Sequence, residues 1–204
     1  KCKNMYITGL QQHSKGKVQV FLDGEPALIL TAAQIREADI REDVLYEGEK
    51  EAALLSFFRR TAAKSAMELL LRRDYSEKDL HRKLQTKGYS DFLADWAVDY
   101  VKSYHYLDDL RVAVHFLEVR NGTMSRQAAR QKLMLKGINE DVIEEAFAGI
   151  CWDEEAGLRQ ELEKKLRSFK GELTESDLIK VMRSLQNQGY HYGMIRRMLE
   201  EEKA

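Results

Sequence analysis

A six-residue pattern occurs three times in this chain of 204 residues. It reads Leu84-Gln-Thr-Lys87-Gly88-Tyr89, then Leu133-Met-Leu-Lys136-Gly137-Ile138, then Leu185-Gln-Asn-Gln188-Gly189-Tyr190, so the glycines lie 49 and 52 residues apart. A glycine just past an apolar-periodic run stops a helix, because without a Cβ it enters the left-handed conformation free of steric cost. In the Schellman arrangement the residue after that glycine packs against the fourth residue before it. All three such pairs, Leu84 with Tyr89, Leu133 with Ile138 and Leu185 with Tyr190, are apolar. Self-similarity at a period of about 50 residues predicts an array of like helical units, not one globular enzyme core.

The flanks repeat as well. Twelve residues before the first two glycines stand Ser76 and Ser125, which suit an N-cap. The third copy has Asp177 at that offset, with Thr174 and Ser176 as competing caps. Five and six residues after the glycines come Leu93-Ala94, Val142-Ile143 and Met194-Ile195. Nine and ten after come Ala97-Val98, Ala146-Phe147 and Met198-Leu199. Those spacings lay an apolar stripe on a second helix. A further amphipathic run precedes each cap: Ala66 to Arg73, Leu110 to Arg120 and Leu158 to Phe169. One unit is therefore three helices, and stacked neighbours bury a continuous core. The 52-residue spacing is ascribed to an insertion near Lys170-Gly171-Glu172.

The first part of the chain differs. Lys17 to Leu22 and Glu25 to Leu30 are β-type runs around Asp23-Gly24, a turn pair suited to positive φ. Pro26 fits an edge strand. Met5 to Leu10 is a candidate third strand, Thr31 caps a short helix through Ala38, and Glu37 to Glu51 reads as acidic and turn-like. The expected fold is mainly α: tandem three-helix repeats in an elongated curved array behind a small N-terminal β-hairpin region. The boundaries fall at 1–48, 49–107, 108–152 and 153–204.

One proline and two cysteines, Cys2 and Cys151, fit a helical protein of a reducing compartment, and the cytoplasm is the expected location. No apolar run is long enough to span a membrane. Net charge is −1, which argues against wholesale wrapping by nucleic acid, but charge is segregated. Arg120 to Lys136 holds five bases and no acid, and Ile138 to Glu163 holds nine acids and one base.

These residues carry a resemblance. Ser76-Glu-Lys-Asp-Leu80 with Leu84 to Tyr89, then Tyr106-Leu-Asp-Asp-Leu-Arg-Val-Ala113, then Leu133 to Ile138, resemble the RecX family of recombination regulators. The match is strong from about Ala66 to Phe147 and looser in the third unit. The hairpin resembles an N-terminal extension of some bacterial members. The resemblance implies a non-enzymatic modulator, without cofactor, that binds RecA filaments on single-stranded DNA in the filament groove. It implies suppression of strand exchange, ATP hydrolysis and co-protease activity. The expected partner is the RecA filament, with single- or double-stranded DNA as a further partner of a basic face, no membrane, and a monomeric state.

Candidate contacts are Arg72, Arg73, Arg82, Lys83, Lys87, Arg120, Arg126, Arg130, Lys132 and Lys136. Lys83 with Lys87, Lys132 with Lys136, and Arg126 with Arg130 are i, i+4 pairs on one helix face, suited to phosphates or an acidic protein surface. The competing reading is a solvated face with cations favourably placed at helix C-termini. Tyr89, Tyr104, Tyr106, Tyr190 and Trp96 are read as packing and stapling residues in preference to stacking platforms for bases. The acidic stretch Asp141 to Glu163 is either a contact for a basic recombinase surface or a solubilising face. Acids beside His105, Asp108 and Asp109, serve better as helix caps than as metal ligands. Gly9 to Lys17 fails as a phosphate loop, with six residues between its glycines and Val18 at the magnesium-ligand position. The alternative function is a helical-repeat scaffold that binds protein and no nucleic acid.

Overall fold

The computed structural model describes residues 5–169 and 174–201. Cys2 and the insertion placed at Lys170-Gly171-Glu172 lie outside the described residues. The described chain is mostly helical, with four strands at its start.

The Asp23-Gly24 turn forms as the residue pair demands, with φ of 50° and 87°. It joins β2 (Lys17–Leu22) to β3 (Glu25–Thr31), and β1 (Met5–Ser14) pairs antiparallel with β2 on the other side. A three-residue β4 (Val44–Tyr46) pairs with the start of β1, so the strand order is β3-β2-β1-β4. Pro26 therefore lies on an edge strand, where its missing N–H costs no ladder bond. The register shifts beside it, between Val20 and Phe21. The acidic stretch read as turn is thus partly strand, and Asp39 and Asp43 take the positive φ values around it. Thr31 caps α1 (Ala32–Glu37) through a complete capping box with Gln34.

Two compact units divide at Asp108 and Asp109. In the first, α2 (Gly48–Leu70), α3 (Glu77–Thr86) and α4 (Asp91–Ser103) follow the sheet. Leu54, Phe58, Ala62 and Ala66 recur every fourth residue on α2 and are buried. They share one apolar cluster with Ile7, Leu28 and Leu30 of the sheet and with Leu80, Leu84 and Leu93. Sheet and first helical repeat thus form one core.

The second unit holds α5 (Asp109–Arg120), α6 (Arg126–Leu135) and α7 (Glu140–Ala148), then α8 (Glu154–Arg167), α9 (Glu175–Asn187) and α10 (Tyr192–Glu201). Each trio closes its own apolar cluster, around Leu117, Leu133 and Ile143 in one and Leu158, Leu185 and Ile195 in the other.

The three stops are identical in form. Gly88, Gly137 and Gly189 have φ of 91°, 82° and 89°. Tyr89, Ile138 and Tyr190 donate their N–H to the carbonyls of Leu84, Leu133 and Leu185, each at 3.2 Å. The glycine N–H groups reach Gln85, Met134 and Gln186 at 2.8 to 2.9 Å. These are the two bonds of a Schellman stop. Ser76 and Ser125 cap α3 and α6 by accepting from Asp79 and Ala128. Thr174 wins the contest for α9, one turn earlier than the equivalent serines, and accepts from Asp177.

Candidate basic interface

Arg72 and Arg73 lie in the turn after α2, both exposed. The Arg73 guanidinium sits 4.3 Å over the ring of buried Tyr75, a cation–π contact that fixes its direction. Arg120 is exposed in the last turn of α5, where a cation favours the helix dipole.

On α3, Arg82 pairs with Asp79 one turn back. Lys83 is exposed and has no ionic partner among the described residues. Lys87 does not continue the outward face of Lys83. Its Nζ donates to the Ser65 hydroxyl of α2 at 2.9 Å, which turns the ammonium inward between the two helices.

On α6, the arginines meet the acids that follow them. Arg130 pairs with Glu140 at 2.9 Å and also with Glu144, and Arg126 reaches Glu144 at 3.6 Å. Arg126 also lies 4.3 Å over the Phe147 ring, and its backbone N–H donates to Glu154 at 3.0 Å. Glu140 and Glu144 belong to α7, and the packing of α7 on α6 brings them to the guanidinium groups. Lys132 is exposed, again without an ionic partner among the described residues, and Lys136 is half-buried at the C-cap. Lys83 and Lys132 hold one repeat position, immediately before the fully buried Leu84 and Leu133. In α9 that position is Ser184, which accepts from Lys165 at 2.7 Å.

Further carboxylates of the acidic stretch are paired as well: Glu155 with Arg197, Glu161 with Lys164, and Glu163 with Arg167. Among the described residues no three His, Cys, Asp or Glu side chains gather as a metal site.

The aromatic residues divide. Tyr190 is buried, and burial with the nearby Glu161 and Glu154 pushes its hydroxyl up to about 12. Tyr89 is half-buried, its hydroxyl donates to the Thr61 carbonyl at 3.3 Å, and burial raises its pKa. Tyr104 and Tyr106, by contrast, are more than half exposed. They end a row in which Trp96 stacks on Tyr100 at 5.2 Å, Tyr100 meets Tyr104 at 5.0 Å, and Tyr104 stacks on Tyr106 at 6.2 Å. Arg59 lies over Phe92 and Trp96 at the other end. The fourfold spacing of Phe92, Trp96, Tyr100 and Tyr104 is a sequence signal for one helix face, visible only when the rings are taken together and not singly.

The family model described as RecX, first three-helix domain, matches residues 62–100. A protein of Clostridium botulinum (strain Alaska E43 / Type E3) named regulatory protein RecX is 31% identical over 201 residues, spanning 94% of this chain and 92% of the relative. A namesake from Vibrio parahaemolyticus is 34% identical over 137 residues, spanning 66% of this chain and 87% of the relative. The fold is that of a crystal structure of regulatory protein RecX, at a TM-score of 0.64 and 18% identity, covering 96% of this chain and 99% of that one. It is also that of RecX from Lactobacillus salivarius, at a TM-score of 0.57 and 15% identity, covering 72% and 97%.

Proposed function

The chain belongs to the RecX family of regulatory proteins, and we propose that it binds RecA recombinase filaments in the cytoplasm and modulates them, mainly as an inhibitor. Kinship along nearly the whole chain carries this reading, with 94% of its length aligned to the botulinum relative. It regulates without catalysis of its own. Contact with successive filament subunits opposes the rearrangements that nucleotide turnover requires, and so lowers strand exchange, ATP hydrolysis and co-protease activity together.

Among the basic candidates, Lys83 and Lys132 support this reading best. Both are exposed, both occupy the same repeat position, and neither has an ionic partner among the described residues. An unpaired ammonium gains the full benefit of a new anion, whereas Arg130 would first leave two carboxylates. The test is RecA ATP hydrolysis and strand exchange on single-stranded DNA. The wild-type chain lowers both, and Lys83→Glu with Lys132→Glu weakens that effect with helicity unchanged. Unaltered RecA rates at saturating protein overturn the reading.

The neutralised arginines of α6 favour a second reading, a scaffold that binds protein alone. DNA retention in a salt titration separates the two. A scaffold retains none even at low salt, while phosphate contacts give retention that falls steeply as salt rises.

A further inference from the structure

Between the sheet and the first helical repeat lies an open cleft of about 480 Å³. Three lysines from three different elements line it: Lys17 at the start of β2, Lys64 on α2, and Lys87 at the C-cap of α3. Glu68 is the one carboxylate among its lining residues. The Thr61 and Thr86 hydroxyls on its wall donate to the Phe57 and Arg82 carbonyls, so the ammonium groups supply the donors for a ligand.

The cleft is built, not a chance gap between mobile side chains. Gly88 meets Ile29 of β3 with no room for a Cβ, and the Ser90 N–H donates to the Ala27 carbonyl at 2.7 Å, so the end of α3 is fastened to the sheet. Tyr89 is tied to the Thr61 carbonyl. Ser65 is buried and takes one N–H of Lys87, an ammonium that has three to give. Lys17 and Lys64 have no ionic partner among the described residues. Three cations along one concave wall, with a single carboxylate among them, raise the local potential and draw in an anion. Ammonium groups carry several donors and no acceptor, and so suit the oxygens of a phosphate.

We propose that this cleft is a phosphate-binding site, furnished jointly by the N-terminal sheet and the first repeat. It accepts the phosphate of a nucleic-acid backbone or of a free nucleotide. The site gives the sheet a role in ligand binding, and it does not depend on the recombinase reading, because its ligand can be tested without RecA.

The experiment uses the full chain with three probes: pyrophosphate and ATP by titration calorimetry, and a labelled oligothymidylate by anisotropy. The variant is Lys17→Ala with Lys64→Ala, both exposed positions. The charge-matched control is Lys50→Ala with Lys78→Ala, which lie outside the cleft. Circular dichroism verifies the fold of both. We expect the cleft variant to bind at least one probe roughly tenfold or more weakly, since a hydrogen bond to a charged group contributes about that factor, and the control to bind as wild type. Loss for pyrophosphate and ATP identifies a free-phosphate site. Loss for the oligonucleotide alone identifies a backbone site, and its salt dependence then flattens by about 0.7 in logarithmic slope for each lysine removed. No binding of any probe by the wild type, or equal effects of cleft and control variants, overturns the proposal.

Discussion

Replacing Gly88 by alanine tests how the sheet is joined to the first repeat. Two penalties combine there. The residue holds φ at 91°, where an L side chain is strained, at about 1–2 kcal/mol. A Cβ would also stand 2.6 Å from Ile29 Cγ1 and 3.4 Å from Ile29 Cβ, so the clash reaches the stem of that side chain and not only its tip. Overpacking of this kind costs about 1–3 kcal/mol. The expected loss is therefore about 2–5 kcal/mol, a large part of a typical domain stability. Two companions separate the terms. Gly16 has φ of 75° with nothing within 4 Å of where a Cβ would stand, so Gly16→Ala should show the backbone term alone. Ile29→Ala removes the clashing atoms, so Gly88→Ala in that background should cost only the backbone term. Urea unfolding provides the readout, with Trp152→Phe throughout so that Trp96 alone reports the first unit. If Gly88→Ala costs no more than Gly16→Ala, or the same with and without Ile29, the packing argument fails.

Ser125 is fully buried, accepts from the Ala128 N–H at 3.1 Å and donates to the Gln188 carbonyl at 2.6 Å. Ser125→Ala orphans both groups and should cost about 2–3 kcal/mol in urea unfolding followed by Trp152 fluorescence, and a loss below about 0.5 would refute its joining role. Tyr190 keeps its proton to about 12 in the fold, against an ordinary tyrosine value of 10.0. The folded state thus binds more protons across that window, so stability is intact below pH 10 and falls as pH rises toward 12. Alkaline unfolding of Tyr190→Phe should lack that part of the decline, and an unchanged pH profile would remove the assignment. Arg130→Gln breaks the pairs with Glu140 and Glu144, which are partly exposed, so thermal denaturation should show a cost of about 0.5–1 kcal/mol that fades near 1 M salt. A loss independent of salt would point to packing instead.

Local chemistry was legible where a few adjacent residues decide it. The glycine stops, the Ser76 and Ser125 caps, the Asp23-Gly24 turn and the edge position of Pro26 all follow from steric and hydrogen-bonding demands within a few residues. β4 was not legible, because three residues beside acidic turns show no alternation, and its order comes from pairing with Met5 to Ile7. The start of α9 stayed open in sequence, since Thr174, Ser176 and Asp177 are all fit to cap. Starting at Thr174 lets Asp177 serve from the third helical position, where its carboxylate meets the Thr174 hydroxyl at 2.6 Å. That hydroxyl is the main reason its pKa is lowered. The state of the basic face was least legible. An acid-free run from Arg120 to Lys136 reads as unpaired charge, yet α7 returns Glu140 and Glu144 to its arginines.

The third repeat's departure from the pattern clarifies what a cap lysine does. In the first repeat, Lys87 at the end of the second helix reaches Ser65 on the first. In the third, Gln188 stands at that cap, and the tether runs the other way, from Lys165 on the first helix to Ser184 on the second. The first and third repeats thus each join their first two helices by one ammonium–hydroxyl bond, with donor and acceptor exchanged. The lysine at the first cap is therefore accounted for by packing before any ligand is considered, and its loss in the third repeat is no evidence that a contact face ends there. The same exchange explains why Ser184 replaces the exposed lysine of the other two repeats: the position is needed for the tether. Lys83 and Lys132 are left with no structural task of this kind. Their charge must be justified by solubility or by a partner, and that makes them sharper probes of binding than the lysines beside the glycines.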